Sequence, residues 1–392
     1  MDRAAESWLR RMVERTRMTS VETPAATAGV GGVKTTPRIH KYMDGVSKVE
    51  GSDLHIKADV VPRIRKGGKL MMTTGMPLTN DDIEAMIREI LTPEQLAMFM
   101  QRGSLDVAHA VTPTERFRLN IFRQRGMISI AARRINPKIP NFSQLHLPPI
   151  FEKIAENEQG MVLLAGITGS GKSTTIAAML EQVNTRRACH IVTVEDPIEY
   201  LYVDKKAYIN QREVGVDVES YDSAIRYLMR EDPDVILIGE MRDRNTFQAG
   251  VQATETGHMV YSTIHASSAL GAITRILELF PPDMHTNMRQ ALASNIKAII
   301  YQKLVVSIKP GLERVPVVEV LLSSPAMRKY IVEGRENELG QVIRSEKAAG
   351  MIDFNDKLAE LVEQEIISHK EAQLASPNAE ELKMRMKGIK TF

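Results

Sequence analysis

Met161-Val162-Leu163-Leu164-Ala165-Gly166-Ile167-Thr168-Gly169-Ser170-Gly171-Lys172-Ser173 is the stretch on which the reading of this chain turns. Its five leading apolar residues make a buried strand, and a helix-length segment follows Ser173. The glycine-rich turn therefore sits where the phosphate-binding pattern G-x-x-x-x-G-K-S must sit, after a strand and before a helix. Glycines let the backbone turn so that successive N–H groups face an anion. Lys172 can neutralise β/γ-phosphate oxygens, and the Ser173 hydroxyl can ligate Mg²⁺.

Working outward, apolar runs at 191–194, 235–238 and 259–263 repeat the strand, turn, helix pattern of an open α/β sheet. Two acidic sites lie at strand ends, where such a sheet collects its ligand contacts. Glu195 and Asp196 leave one strand just before Pro197, and Glu240 follows Val235-Ile236-Leu237-Ile238-Gly239. In a nucleotide-hydrolysing site one carboxylate orients or deprotonates the attacking water while another supports water or metal. Glu240 is assigned the first role and Glu195 the second, against the plainer reading of both as solvated loop carboxylates.

His258 and His265 bracket residues 259–264. In an extended segment their rings stand roughly 23 Å apart, at about 3.3 Å per residue, so they cannot share one metal. Either one senses the γ-phosphate while the other couples it to a neighbouring element, or both are structural. Arg116, Arg118, Arg123, Arg125, Arg133 and Arg134 crowd one stretch upstream. They form a solvated basic face or supply an arginine to the transferring phosphoryl group. A nucleic-acid patch is disfavoured, because only Phe117 and Phe122 are interleaved as stacking residues.

The 392 residues suggest about two or three domains, and 43% hydrophobic content can fill their cores. A net charge of only +2, from 51 Lys+Arg against 49 Asp+Glu, gives no bulk attraction to nucleic acid or an anionic membrane. The single cysteine, Cys189, rules out an intramolecular disulfide framework and a multi-thiolate zinc site, and favours a reducing, cytosolic compartment. No apolar run reaches the roughly 18–20 residues of a membrane span, since Lys297 and Lys303 cut the longest candidate. Trp8, Leu9, Met12 and Val13 among arginines suggest a short amphipathic helix, or simply a frayed terminal one, and residues 21–36 read as a linker.

The expected organisation is an N-terminal extension and linker at 1–45, an α+β domain at 46–140, a proline-rich hinge at 141–149, an α/β core at 150–320 and a helical subdomain at 321–392. Within the first domain, strands are expected at 53–56 and 116–122, with a helix over 81–89 and a second opening at Pro93 behind a Thr92 cap.

In their order along the chain, GITGSGKST, VTVEDPIEY, NQREVG, REDPDVILIGEMRD and TGHMVYSTIHA resemble the PilT/PilU twitching-motility ATPases of the type II/type IV secretion ATPase superfamily. GSDLHI and RFRLNIFRQRG resemble that family's PAS-like N-terminal domain, and GMIDFNDKLAELVEQEIIS its helical end. The resemblance spans roughly residues 46–385. It implies a PAS-like domain, a RecA-like P-loop core and a C-terminal helical subdomain, with ATP and Mg²⁺ as substrate and metal. ATP falls to Gly166, Thr168, Gly169, Ser170, Gly171, Lys172, Ser173 and Thr174, and Mg²⁺ to Ser173. Glu195 falls in the Asp box, Glu240 becomes the catalytic glutamate, and His258 and His265 flank the His box. Arg118 and Arg134 become the nucleotide-facing arginines, with Arg123 and Arg133 as their near alternatives.

The family likeness further implies a cytoplasmic homo-oligomer, a hexameric ring at the inner-membrane base of the pilus machine. Its expected partners are an inner-membrane platform protein and a paralogous retraction ATPase. Nucleic acid is not among them. The implied activity is retraction of the fibre by pilin depolymerisation, and the alternative is a PilU-like accessory scaffold on a partner ring. The tetracysteine zinc insertion of the secretion and extension relatives has no counterpart with one cysteine. Where retraction ATPases carry an AIRNLI-like motif, this chain has Ala326-Met327-Arg328-Lys329-Tyr330-Ile331, with lysine in place of asparagine. That substitution and the tail at 376–382 lean toward the PilU-like branch.

Overall fold

Ile39, Met43 and Val46 recur at spacings of four and three and are fully buried, which is why a helix, α1 (His40–Lys48), already forms ahead of the domain start expected at residue 46. It belongs to a computed structural model that describes residues 36–112, 115–135 and 138–386. The expected terminal helix, and all of the linker but Thr36, lie outside the described residues. The chain divides into two units, one holding residues up to 106 with 120–132, the other holding 107–119 with everything from 133 on.

The first unit continues with β1 (Asp53–Lys57), β2 (Arg63–Lys66), β3 (Lys69–Met72), α2 (Asn80–Ile90) and α3 (Pro93–Arg102). Both helices start at capping boxes. Thr79 Oγ1 accepts from the Asp82 N–H while Asp82 accepts from the Thr79 N–H, and Thr92 pairs with Gln95 in the same way. Then come β4 (Ser104–Thr112), β5 (Glu115–Gln124) and β6 (Met127–Arg134), strands whose ends belong to the second unit. The sheet order is β3-β2-β1-β6-β5-β4.

In the second unit, residues 138–149 form turns without helix or strand, as Pro140, Pro148 and Pro149 dictate. Next come α4 (Ile150–Ala155), β7 (Gly160–Ala165), α5 (Lys172–Arg186), β8 (His190–Glu195), β9 (Tyr208–Glu213), α6 (Tyr221–Leu228), β10 (Val235–Ile238), α7 (Arg244–Glu255), β11 (Met259–Ile264), α8 (Ala269–Leu277), α9 (His285–Asn295), β12 (Ile296–Val306) and β13 (Arg314–Leu322). The sheet runs β13-β12-β7-β11-β10-β8-β9, and every neighbouring pair is parallel except β12 with β13.

Its central strands are covered on both faces, so β7, β10 and β11 are buried at every residue rather than alternately. Met161, Leu163 and Ala165 pack with Phe247, Ile273 and Leu292, while Val162 and Leu164 pack with Phe151, Met179 and Leu180 on the other side. The chain ends in α10 (Pro325–Val332), α11 (Leu339–Ser345), α12 (Phe354–Glu363), α13 (His369–Ala375) and α14 (Ala379–Met386). Phe354, Leu358, Leu361 and Leu382 of these helices close over Val305, Val315 and Val317 of β12 and β13.

Candidate active site

The parallel strands β7, β8, β10 and β11 all end on one edge of the sheet, and there the second unit encloses a cavity of about 650 Å³. β7 delivers the loop. Gly166 has φ of +150°, and a Cβ at that position would stand 2.5 Å from the Gln302 carbonyl oxygen and 2.6 Å from Ser170 Oγ. Only glycine lets the chain turn so closely over β12. Gly171, also left-handed, leads directly into α5, whose first-turn N–H groups point toward the loop as in other helix-terminal anion sites. Thr168 through Thr174 line the cavity.

Lys172 is buried, and its Nζ donates to the Gly166 and Ile167 carbonyls at 2.8 and 3.1 Å. Burial lowers its pKa, partly opposed by the negative charge of Glu240. A phosphate entering the loop offers this ammonium a charged acceptor in place of two neutral carbonyls. Ser170 Oγ is buried and has no partner among the described residues, while the Ser173 side chain is exposed to the cavity. A glycine cradle, an orphaned hydroxyl, an exposed hydroxyl and nearby carboxylates together fit a phosphate chain and its magnesium ion.

Glu240 leaves β10 through Gly239. Its Oε2 accepts from Arg242 Nη2 at 2.7 Å, and its Oε1 lies 3.1 Å from His265 Nε2. A Cβ at Gly239 would sit 2.8 Å from the Tyr221 hydroxyl and 3.2 Å from the Val194 carbonyl oxygen, so a side chain there would displace Tyr221. Thr263 Oγ1 donates to the Gly239 carbonyl at 2.8 Å and Ser262 Oγ to that of Ile238 at 2.7 Å, fixing the end of β10 against β11. Glu240 and His265 therefore emerge side by side from adjacent parallel strands.

Glu195, at the end of β8, is far more enclosed. Its Oε1 accepts from Thr193 Oγ1 at 2.7 Å and Gln211 Nε2 at 3.2 Å. Burial outweighs these bonds and pushes its pKa from 4.5 up to about 7. The environments of the two carboxylates thus differ. Glu240 faces a guanidinium and an imidazole, while Glu195 is desolvated, hydrogen-bonded to neutral donors and subject to the negative charge of Glu199.

Arg118 and Arg134, on the portions of β5 and β6 that belong to this unit, line the same cavity, and so does Arg133. Arg134 Nε is 3.1 Å from Glu115 Oε1. Arg123 lies elsewhere, with its guanidinium 5.6 Å from the centre of the Phe99 ring in the first unit. Of the two near alternatives among the arginines, only Arg133 joins the cavity lining.

His258 is not brought to the cavity. It precedes β11, at the opposite end of the strand from His265, and its Nδ1 lies 2.9 Å from the Ala253 carbonyl and 3.1 Å from Thr256 Oγ1. The structural reading of this histidine accounts for its contacts. Tyr200, Tyr221, Arg242 and Arg314 line the cavity without having been singled out in the sequence. Tyr200 OH stands 2.9 Å from Thr174 Oγ1.

A family model described as "Type II/IV secretion system protein" matches residues 141–382. The type IV pilus ATPase PilU of Pseudomonas aeruginosa is 36% identical over 337 residues, covering 86% of this chain and 88% of the relative. The type IV pilus retraction ATPase PilT of the same organism is 36% identical over 327 residues, covering 83% and 94%. A crystal structure of the pilus retraction motor PilT with bound ADP superposes with a TM-score of 0.81 at 35% identity, covering 88% of this chain and 98% of that one.

Proposed function

Because the chain belongs to the type II/IV secretion protein family, within its PilT/PilU branch, it is an ATPase, and we propose that it works as an Mg-ATP-driven hexameric motor that retracts type IV pili. The observation that carries this reading is the phosphate loop, Glu240 and His265 lining one cavity in a chain similar to PilT over most of its length. ATP seats its β/γ-phosphates on residues 166–174, where the nest of backbone N–H groups and Lys172 balance their charge.

Glu240 then orients a water molecule and accepts its proton as the oxygen attacks the γ-phosphorus. The bond to the ADP oxygen breaks, and the products are ADP and phosphate. His265 senses the γ-phosphate through its contact with Glu240. Arg118 and Arg134 stabilise charge on the transferring phosphoryl group. Mg²⁺, held by Ser173 with Glu195 in support, supplies neutralisation of the phosphate oxygens when bound.

The motor acts from the cytoplasmic side of the inner membrane on a platform protein of the pilus machine, alone or beside a paralogous ATPase. Among the described residues no helix is long and apolar enough to cross a membrane. A strain lacking the gene tests the reading. It should keep surface pili and lose twitching, with rescue by the wild-type copy and none by Glu240→Gln. Rescue by Glu240→Gln would instead support an accessory scaffold, and loss of all pili with normal retraction of residual fibres would contradict the motor.

A further inference from the structure

Gln302 is a polar residue 2% exposed, set in the middle of β12. β12 pairs with β7 in parallel, Tyr301 opposite Ala165, so Gln302 stands one residue beyond the pairing, at the level where β7 becomes the loop. Its Nε2 donates to the Ser170 carbonyl at 2.8 Å, and its Oε1 accepts from Thr175 Oγ1 at 2.8 Å. Ser170 and Thr175 are themselves buried, each 2% exposed.

The chemistry fixes which way round the amide sits. A peptide carbonyl only accepts, so the group facing Ser170 O must be the NH₂, which leaves the oxygen for the Thr175 hydroxyl. One side chain thereby ties the loop's last turn to the first turn of α5 and both to the central sheet. Both ties lie between residues that are almost wholly buried.

We propose that Gln302 is a positioning residue that presets the phosphate-binding loop and aims the Gly171 N–H at the nucleotide. The argument rests on the peptide plane. The Ser170 carbonyl and the Gly171 N–H belong to one trans peptide, so they point in opposite directions. Holding the carbonyl down onto Gln302, at the buried side, turns the N–H up toward the side on which Gly171 lines the cavity. Without that anchor the carbonyl is buried with no donor, and the peptide gains by rotating, which withdraws one N–H from the anion.

Gly171 shows how closely the two elements are fitted, since a Cβ there would meet Gln302 Nε2 at 2.8 Å. The loop contacts phosphates in substrate and transition state alike. The effect therefore falls on nucleotide affinity, with KM rising and kcat nearly unchanged.

This inference rests on the nucleotide site proposed above, and the test separates the two. ADP binding by calorimetry, KM and kcat for ATP, and the nucleotide-free melting temperature are measured for wild type, Gln302→Leu, Thr175→Val and Thr175→Ser. Gln302→Leu should bind ADP about tenfold more weakly and raise KM for ATP by a similar factor, roughly the effect of one net hydrogen bond, with kcat changed less than about threefold. Thr175→Val, which removes only the amide's support, should weaken binding in the same direction, and Thr175→Ser should restore it.

A folded Gln302→Leu with wild-type ADP affinity overturns the proposal. If that variant does not fold, wild-type affinity in Thr175→Val overturns it, and weakened binding rescued in Thr175→Ser supports it. A wild type that binds no nucleotide overturns the proposed function and this inference with it, whereas normal wild-type binding with unaffected variants overturns this inference alone.

Discussion

Replacing Glu195 by glutamine should stabilise the second unit above neutral pH and leave it unchanged in acid. The carboxyl is buried at the end of β8, accepts only from Thr193 Oγ1, Gln211 Nε2 and a long 3.4 Å contact from the Glu199 N–H, and has its pKa raised from 4.5 to about 7. Between those two values the folded state keeps a proton that the unfolded chain has released, so stability falls as pH rises through that window. At about 1.4 kcal/mol per pH unit, the full loss above pH 7 is roughly 3 kcal/mol. Glutamine keeps the acceptor oxygen for Thr193 and Gln211 but never ionises.

Denaturant midpoints of wild type and Glu195→Gln, followed from pH 4 to pH 8, read the effect. The curves should converge near pH 4 and separate by roughly 3 kcal/mol at pH 8, with the variant the more stable. Glu319, also buried and raised to about 7, titrates in the same window in both proteins and cancels in the difference. A constant offset, or a wild type as stable as the variant at pH 8, would refute the assignment of burial as the dominant influence on Glu195.

Lys172→Ala should abolish productive ATP binding, since a methyl group cannot replace a charge-assisted contact to the β/γ-phosphates; unchanged affinity in a binding titration would count against the loop assignment. Arg118→Ala and Arg134→Ala should each lower kcat more than they lower nucleotide affinity, and loss of nucleic-acid binding with intact ATPase activity would point to a different chemistry. Gly166→Ala should lower stability and nucleotide affinity together, because the added Cβ meets Gln302 O at 2.5 Å and Ser170 Oγ at 2.6 Å; overpacking of this kind costs about 1–3 kcal/mol, and a melting curve like that of wild type would contradict it.

The strands of the core were legible because local signals and tertiary burial agree there. The runs at 161–165, 191–194, 235–238 and 259–263 fall within β7, β8, β10 and β11, and their lack of alternation matches a sheet covered on both faces. The helix α3 was legible for another reason, its Thr92 cap being a local hydrogen bond that needs no distant partner, and the equivalent Thr79 cap of α2 is seen only in the structure. β12 was harder to read. Lys297, Lys303 and Gln302 interrupt its apolar run, so the segment drew notice only as a failed membrane span.

What β12 does for the loop depends on contacts between residues 127 and 132 positions apart, which no local pattern encodes. His258 and His265 illustrate the same limit. Their spacing excluded a shared metal, but only the direction of β11 shows that one reaches the cavity and the other the opposite end of the sheet. Among the arginines the crowding was visible and the separation of Arg123 from Arg133 was not, because the two lie on different strands, Arg123 on the part of β5 in the first unit and Arg133 on the part of β6 in the second, a division no local pattern encodes.

Nucleotide binding and phosphate release, measured side by side on the wild type and Glu240→Gln, bear most directly on the claim that this cavity hydrolyses ATP with Glu240 activating the water. The wild type should release phosphate, and Glu240→Gln should bind ATP with near wild-type affinity while turning over roughly 10²–10⁴-fold more slowly. Normal turnover by Glu240→Gln would contradict the assignment, and normal turnover by Glu240→Gln with its loss in Glu195→Gln would show the two carboxylates to be reversed.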